Sequence, residues 1–342
     1  MKKFALSVLV IMFLLVSVQF TMAKPVTMKV AWSESADPFE HMVGAGMYVF
    51  KKCVEEYTGG SIEVQLYPAG QLGDAKSTLE QVKEGVIQGC MSIPSGLIAG
   101  RYYPDFSIFD VPYLFNNNAV AWEVLKPSSD FIQGIGDDLA EKTGLRLLDL
   151  GIEGMRHFTN DERSIKTPED MKSLKIRTME VPAHMEMVKA LGASPIPVPW
   201  LELYTALQTG VVDGEENPVS NVVYMKFYEV QKYMTMDGHI TLLDAFVIND
   251  KWFKAQSESN QKAILQAAQM MALAHRGMNE ILEGKGLEVL QEKMDVTFLT
   301  AEEKAAFKTA TQGPVIEYIK SQISSPELLD ELLEKVKEVE SR

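Results

Sequence analysis

The fold turns on the stretch LKIRTMEVPAHMEMVKALGASPIPVPWLELYTALQTGVVDGEEN, Leu174–Asn217. Leu174–Thr178 is short, apolar at alternate positions and strand-like, with Arg177 at its outgoing end. Val181–Leu191 reads as a helix. Ala193–Pro199 follows as a turn, with prolines at 195, 197 and 199 that forbid continuing the helix. A second helix begins near Trp200 and stops at Gly210, a glycine suited to the left-handed position after a helix end. Asp213-Gly214-Glu215-Glu216-Asn217-Pro218 comes next.

The alternation continues on both sides. Upstream, Leu145–Leu150 reads as a strand and Gly151–Arg156 as the loop after it, which places Arg156 near a strand end. Thr167-Pro168-Glu169-Asp170 has the pattern of a helix start, with a capping threonine, a proline at the first position and an acid to close a capping box. Nearer the N-terminus, Met28–Trp32 is a candidate first strand, and Pro38 is expected to open a helix. Met42, Val43, Phe50, Cys53, Val54 and Tyr57 give that helix one apolar face, and Thr58-Gly59-Gly60 ends it. Ile62–Tyr67 alternates as a strand. Leu79, Val82 and Val86 mark a helix, and Val86–Ile93 is the next strand. Strand–helix–strand order of this kind argues for parallel pairing with covering helices. Ligands of such sheets sit beyond the carboxyl ends of the strands, here the loops Ser33–Asp37, Pro68–Asp74 and Pro94–Gly96. The aromatic run Tyr102, Tyr103, Phe106 and Phe109 is expected mostly in the core. Leu242–Asn249 is an apolar strand. Trp252 to about Met294 is helix-forming and free of proline, and Pro314–Arg342 is helical with a charged end. Two α/β units are the economical reading.

The segments LKIR, LGASPIPVPWLELYTALQTGVVDGEENP and MKFYEVQKY resemble the periplasmic solute-binding subunits of tripartite ATP-independent periplasmic (TRAP) transporters, of the C4-dicarboxylate- and sialic-acid-binding type. The resemblance covers most of the chain after its first residues. It implies an α/β, two-domain periplasmic binding protein fold, with strands crossing between the domains, a long helix spanning both, and a hinge. The expected division is 24–151 plus 242–281 for domain I and 152–241 plus 282–342 for domain II. It further implies delivery of a small carboxylate ligand to the membrane permease subunits of a TRAP transporter.

Bulk properties agree with that setting. The chain has 342 residues, 46% hydrophobic and 23% charged, enough for a large core. A formal net charge of −14 disfavours nucleic acid and anionic lipid as partners. Residues 1–23 read as a secretory signal peptide. Lys2 and Lys3 form the positive end, Ala5–Val18 the apolar run, and Thr21-Met22-Ala23 a small-residue site with cleavage expected before Lys24. The mature protein is therefore expected in the periplasm, as a monomer. Cys53 and Cys90 are too few for a disulfide scaffold and read as two buried thiols.

Arg177 is the first candidate ligand residue. The resemblance implies that the arginine of LKIR pairs with a ligand carboxylate, and the chemistry suits it. A guanidinium offers two parallel N–H donors to one carboxylate and stays charged when dehydrated. Arg156, in Gly154-Met155-Arg156, matches the family's second arginine. The competing reading for it is a structural pair with Asp161 or Glu162. Asn217 matches the asparagine before the motif proline, with an amide able to donate and accept. Glu215 and Glu216 read as structural. Trp200 matches an aromatic wall position and can equally close the proline-rich turn as a core residue. Glu34, Asp37 and Phe39 follow the first strand. Glu34 and Asp37 there would face the ligand's distal end and favour a polyhydroxy acid over a second carboxylate, unless a cation such as Arg101 intervenes.

Enzyme signatures are missing: no Gly-x-Ser-x-Gly, His-Glu-x-x-His, phosphate-loop or Cys-x-x-Cys pattern occurs. Glu180 with His184 is the sole candidate for a base or metal pair, and a surface pair fits better. No metal, cofactor or catalytic residue is expected. The alternatives to a transport binding protein are a periplasmic hydrolase or lyase, or a ligand sensor, on the same frame.

Overall fold

A computed structural model describes residues 24–342; the expected signal peptide lies outside the described residues. The first lobe starts with β1 (Val26–Ala31), α1 (Met42–Tyr57), β2 (Ile62–Tyr67), α2 (Ala75–Lys83) and β3 (Gly89–Pro94). β1 pairs in parallel with both β2 and β3, as the alternation implied. Pro38 does not open α1. The helix starts at Met42, where the His41 side chain accepts the Val43 N–H as N-cap. Val86 is 62% exposed in the turn before β3 and belongs to neither neighbour. α3 (Ser95–Arg101), a 3-10 turn at Pro104–Asp110, α4 (Asn118–Leu125) and α5 (Asp130–Thr143) complete this part. Tyr103, Phe106 and Phe109 are buried there, edge to face. Cys53 is half-buried, Cys90 is buried, and both are free.

Next comes β4, unbroken from Leu145 to Asn160. The second lobe follows with a capped 3-10 turn at Pro168–Met171, β5 (Lys175–Thr178), α6 (Pro182–Ala190), β6 (Ser194–Pro197), a 3-10 turn at Trp200–Glu202, α7 (Leu203–Gln208), β7 (Gly214–Asn217) and α8 (Val219–Tyr224). The expected closing glycine, Gly210, has φ +70°. The chain then returns along β8 (Tyr233–Asn249) to α9 (Asp250–Lys254), α10 (Glu258–Lys293), β9 (Asp295–Phe298), α11 (Ala301–Gln322) and α12 (Pro326–Glu340).

The two long strands join the halves. β4 and β8 run antiparallel from Leu145↔Asn249 to Asn160↔Tyr233. The far end of β8 pairs with β3, and its near end pairs with β9. The far end of β4 pairs with β7, which continues to β5 and β6. The sheet therefore reads β2-β1-β3-β8-β4-β7-β5-β6. Reading Gly151–Arg156 as a loop was wrong. Its backbone stays in the ladder opposite Ile240–Asp244, with a bulge between Ile152 and Gly154.

α10 has 36 residues, about 54 Å at 1.5 Å per residue. Met271 packs against Gly46 of α1, His275 lies over Gly151, and Gly286 meets Val219 of α8. It thus touches both lobes and the crossing between them. α12 packs on α4 and on the Pro104–Asp110 turn, where the Asp105 carboxylate accepts from Ser324 N and Oγ at 2.6 and 2.7 Å.

Gly154 sits at the bulge with φ +133°, and a Cβ there would lie 3.1 Å from the Glu283 carboxyl carbon on α10. An L side chain is strained in that backbone region. Gly154→Ala is expected to lower stability by about 1–3 kcal/mol, read as a shifted denaturant midpoint with unchanged slope.

Candidate ligand-binding site

Order across the sheet places two kinds of side chain around one cleft. The β5–β7–β4 side contributes Arg177, Asn217 and Arg156. The β1–β3–β8 side contributes Glu34, Ser92 and Asp244, and Glu153 enters from the crossing in β4. Trp200, Val198 and Met179 add apolar wall.

Arg177 is buried, with 2% exposure. Its Nε donates to the Val198 carbonyl at 2.9 Å, which fixes the guanidinium plane. Its Nη1 is buried without a partner, and Arg177 has no ion pair among the described residues. Burial and the neighbouring Arg156 lower its pKa to about 10, so it stays cationic at neutral pH.

Arg156 is fully buried inside β4. It does not pair with Asp161 or Glu162; Asp161 faces Lys232 instead. Its Nε and Nη2 grip the Glu216 carboxylate, Nη2 at 2.9 Å from Oε1, and Nη2 also donates to the Glu216 carbonyl. Nη1 is left without a partner. Behind Glu216 the chain of charges continues. Glu216 Oε2 lies 3.2 Å from His239 Nε2, His239 Nδ1 lies 2.8 Å from Asp237 Oδ2, and Tyr113 donates to Asp237 at 3.2 Å. Burial alone would neutralise these groups. The mutual attraction outweighs it, raising His239 to about 9 and holding Glu216 and Asp237 well below the usual carboxylate range. Four alternating charges thus balance one another. Arg177 is outside the chain.

Asn217 lines the cleft and donates an amide N–H to Glu215, whose carboxylate also accepts from Thr159 Oγ1 at 2.7 Å. Glu215 and Glu216 are both buried and neither lines the cleft, in keeping with structural roles. Trp200 serves as wall and packing residue together: it lines the cleft and meets Phe227 edge-on at 5.9 Å. Glu34 is buried in the cleft, and burial followed by the nearby Asp244 raises its pKa to about 8.

Asp37 is a correction. It is exposed, its carboxylate accepts the Phe39 N–H at 2.8 Å in a surface turn, and it does not line the cleft. After Glu34 the chain turns outward, and Phe39 is 80% exposed. Arg101 is likewise off the lining, held between Glu80 and Glu180 at 3.5 and 3.4 Å. Glu180 and His184 form no pair: Glu180 is exposed, while His184 is buried 3.3 Å from Asp110.

Sequence reading missed Glu153, Asp244, Ser92 and Asn221. One signal was available for Asp244, a carboxylate inside the apolar run Leu242–Asn249; a buried charge without evident need marks a site. Glu153 was hidden by the false loop. Among the described residues no three His, Cys, Asp or Glu side chains are placed to hold a metal ion.

Comparison with known proteins gives this architecture a family. Residues 33–322 match the model of the bacterial extracellular solute-binding proteins, family 7. The 2,3-diketo-L-gulonate-binding periplasmic protein of Escherichia coli is 34% identical over 70% of this chain and 74% of its own. The ectoine-binding periplasmic protein of Halomonas elongata is 32% identical over 85% of both. The galactonate-bound crystal structure of a sugar acid binding protein from Advenella mimigardefordensis superposes with a TM-score of 0.85 at 29% identity, over 92% of this chain and 99% of that one. The chain belongs to the family of periplasmic solute-binding proteins of TRAP transporters. Members of this family are binding proteins rather than enzymes, which removes the hydrolase alternative.

The charge chain has a pH signature. His239 binds its proton more tightly folded than unfolded, so its contribution to stability is complete below pH 6.5 and lost as pH rises through about 9. His239→Gln is expected to show a flatter fall of thermal midpoint than the unsubstituted protein between those values, followed by scanning calorimetry.

Proposed function

We propose that this protein captures a small organic acid by its carboxylate and delivers it to the permease subunits of a TRAP-type secondary transporter. Arg177 is the clamp, Arg156 and Asn217 support it, Trp200 forms a wall, and Glu34 meets the ligand's distal part. The observation that carries this reading is that two arginines lining one cleft, Arg177 and Arg156, each keep a buried guanidinium nitrogen, Nη1, without a partner. A buried donor without a partner costs about 1–3 kcal/mol. A carboxylate removes that cost twice with two parallel bonds. The relatives named for 2,3-diketo-L-gulonate and galactonate support an oxidised-sugar acid as the ligand class. Closure of two lobes, 24–151 plus 242–281 against 152–241 plus 282–342 with the last helix moved to the first, would bend at the β4–β8 crossing. The mature chain is expected to act as a periplasmic monomer.

Thermal shift against a library of organic acids tests the reading. A true ligand at about 100 times its Kd adds roughly 2.7 kcal/mol of stability. Arg177→Ala is expected to weaken that ligand on the order of 10- to 100-fold by titration calorimetry. Unchanged affinity refutes the clamp.

A further inference from the structure

With the lobes divided as proposed above, one buried polar pair joins them outside the cleft and has no part in holding a ligand. His184, on α6 of the second lobe, and Asp110, at the end of the first lobe's Pro104–Asp110 turn, are 1% and 3% exposed, and neither lines the cavity. His184 Nε2 lies 3.3 Å from Asp110 Oδ1. Ser95 Oγ, at the start of α3, donates to the same oxygen at 3.4 Å. Asp110 Oδ2 and His184 Nδ1 are buried without a partner. Permanent packing rarely leaves buried polar atoms unmet, so a pair of this kind needs a reason.

The backbone around the pair is shaped for close approach. Gly96 and Gly100 lie one turn apart on α3. A Cβ at Gly96 would stand 2.3 Å from Val181 Cγ1, and one at Gly100 would stand 3.3 Å from Pro182 Cδ. The bare face of α3 therefore sits directly on the start of α6, and a side chain at Gly96 would hold the two apart. Arg101 closes the outer edge, reaching Glu80 of α2 and Glu180 just before α6 at 3.5 and 3.4 Å. Those contacts are long and reach solvent, so they add little. Both facing segments begin at strand ends that border the cleft, α3 after β3 and α6 after β5. Widening the cleft draws those strand ends, and the helices that start there, away from each other.

We infer that α3 and the start of α6 form a latch, in which the Asp110–His184 pair is made when the lobes close and holds them closed without touching the ligand. This rests on the reading that the protein closes on its ligand by bending at the β4–β8 crossing. The open form returns both side chains to water, where their unmet atoms find partners. In the closed form, removing one partner leaves the other buried and bare, which is costly. The pair therefore acts on the lifetime of the closed state and leaves the capture step alone, and contact differences of this kind are read mainly in dissociation rates. Ligand residence is then set twice, by the arginines inside the cleft and by a contact outside it.

Asp110→Asn and His184→Gln test the latch in the full mature chain, with D-galactonate as the probe acid in stopped-flow fluorescence. Each is expected to speed galactonate dissociation at least about 5-fold and to leave association within about 2-fold. The double variant is expected to exceed the stronger single by less than about 2-fold, because one contact can be lost only once. Arg101→Met is expected to change the rate by less than about 2-fold. The ligand-free denaturant midpoint is expected to stay put in both latch variants, since the open form does not make the pair. In parallel, a fluorophore pair on the two lobes follows ligand-free molecules one at a time; their closed excursions are expected to shorten in the same ratio, and Arg177→Ala is expected to leave them unchanged. Unchanged dissociation in both variants, or a ligand-free midpoint that falls as far as the galactonate-bound one, overturns the latch. If galactonate does not bind, the proposed ligand class is what fails, and the ligand-free lifetimes decide: lifetimes unmoved by both variants, or an unsubstituted chain that never closes, overturn the latch.

Discussion

The buried pair of Arg156 and Glu216 is the interaction on which the site depends. Removing two charges from water is expensive, and only close geometry with further hydrogen bonds offsets it. Here the geometry is bidentate, and His239 and Asp237 extend it into a balanced row. Because that row consumes Arg156's charge internally, Arg156 reaches the cleft with one spare N–H and little net field. Arg177 lies beside it with a full charge and no counter-ion among the described residues. One arginine is paired with a carboxylate and keeps one bare N–H; the other has no ion pair among the described residues.

This division needs β4 and β8 to be long. Arg156 and Glu153 are both on β4, yet Arg156 works with β7 and Glu153 with β8. Only a strand that passes through both lobes can carry a cationic contact and an acidic one so close in sequence. The bulge at Gly154 lies between them, and α10 braces the crossing from behind through His275 and Glu283. Both groups are buried against the crossing, and burial favours the neutral form of each, lowering His275 to about 3 and raising Glu283 to about 7.

Local pattern made much of this legible. Strand and helix alternation, the capping box at Thr167 and the closing Gly210 are short-range features, and the LKIR, Gly-Met-Arg and GEENP segments pointed to Arg177, Arg156 and Asn217, which line one cleft. What escaped was long-range. Nothing local distinguishes GIEG in a strand bulge from GIEG in a turn; the partner strand lies about ninety positions downstream and decides it. The same blindness hid Glu153 and, through the polar residues Thr235, Asp237 and His239, the first half of β8. Asp37 failed for the opposite reason. A carboxylate three residues from a buried one has no local mark of its own burial, and the turn that exposes it is set by an Asx contact to Phe39.

The central claim is that one uncompensated guanidinium, Arg177, receives the ligand's carboxylate with Arg156 Nη1 beside it. A crystal structure of the protein with whatever acid co-purifies, identified by mass spectrometry, tests it most directly. The account predicts carboxylate oxygens within hydrogen-bond distance of both nitrogens and the ligand's distal part against Glu34. A carboxylate seated elsewhere, with Arg177 Nη1 still bare, would contradict it.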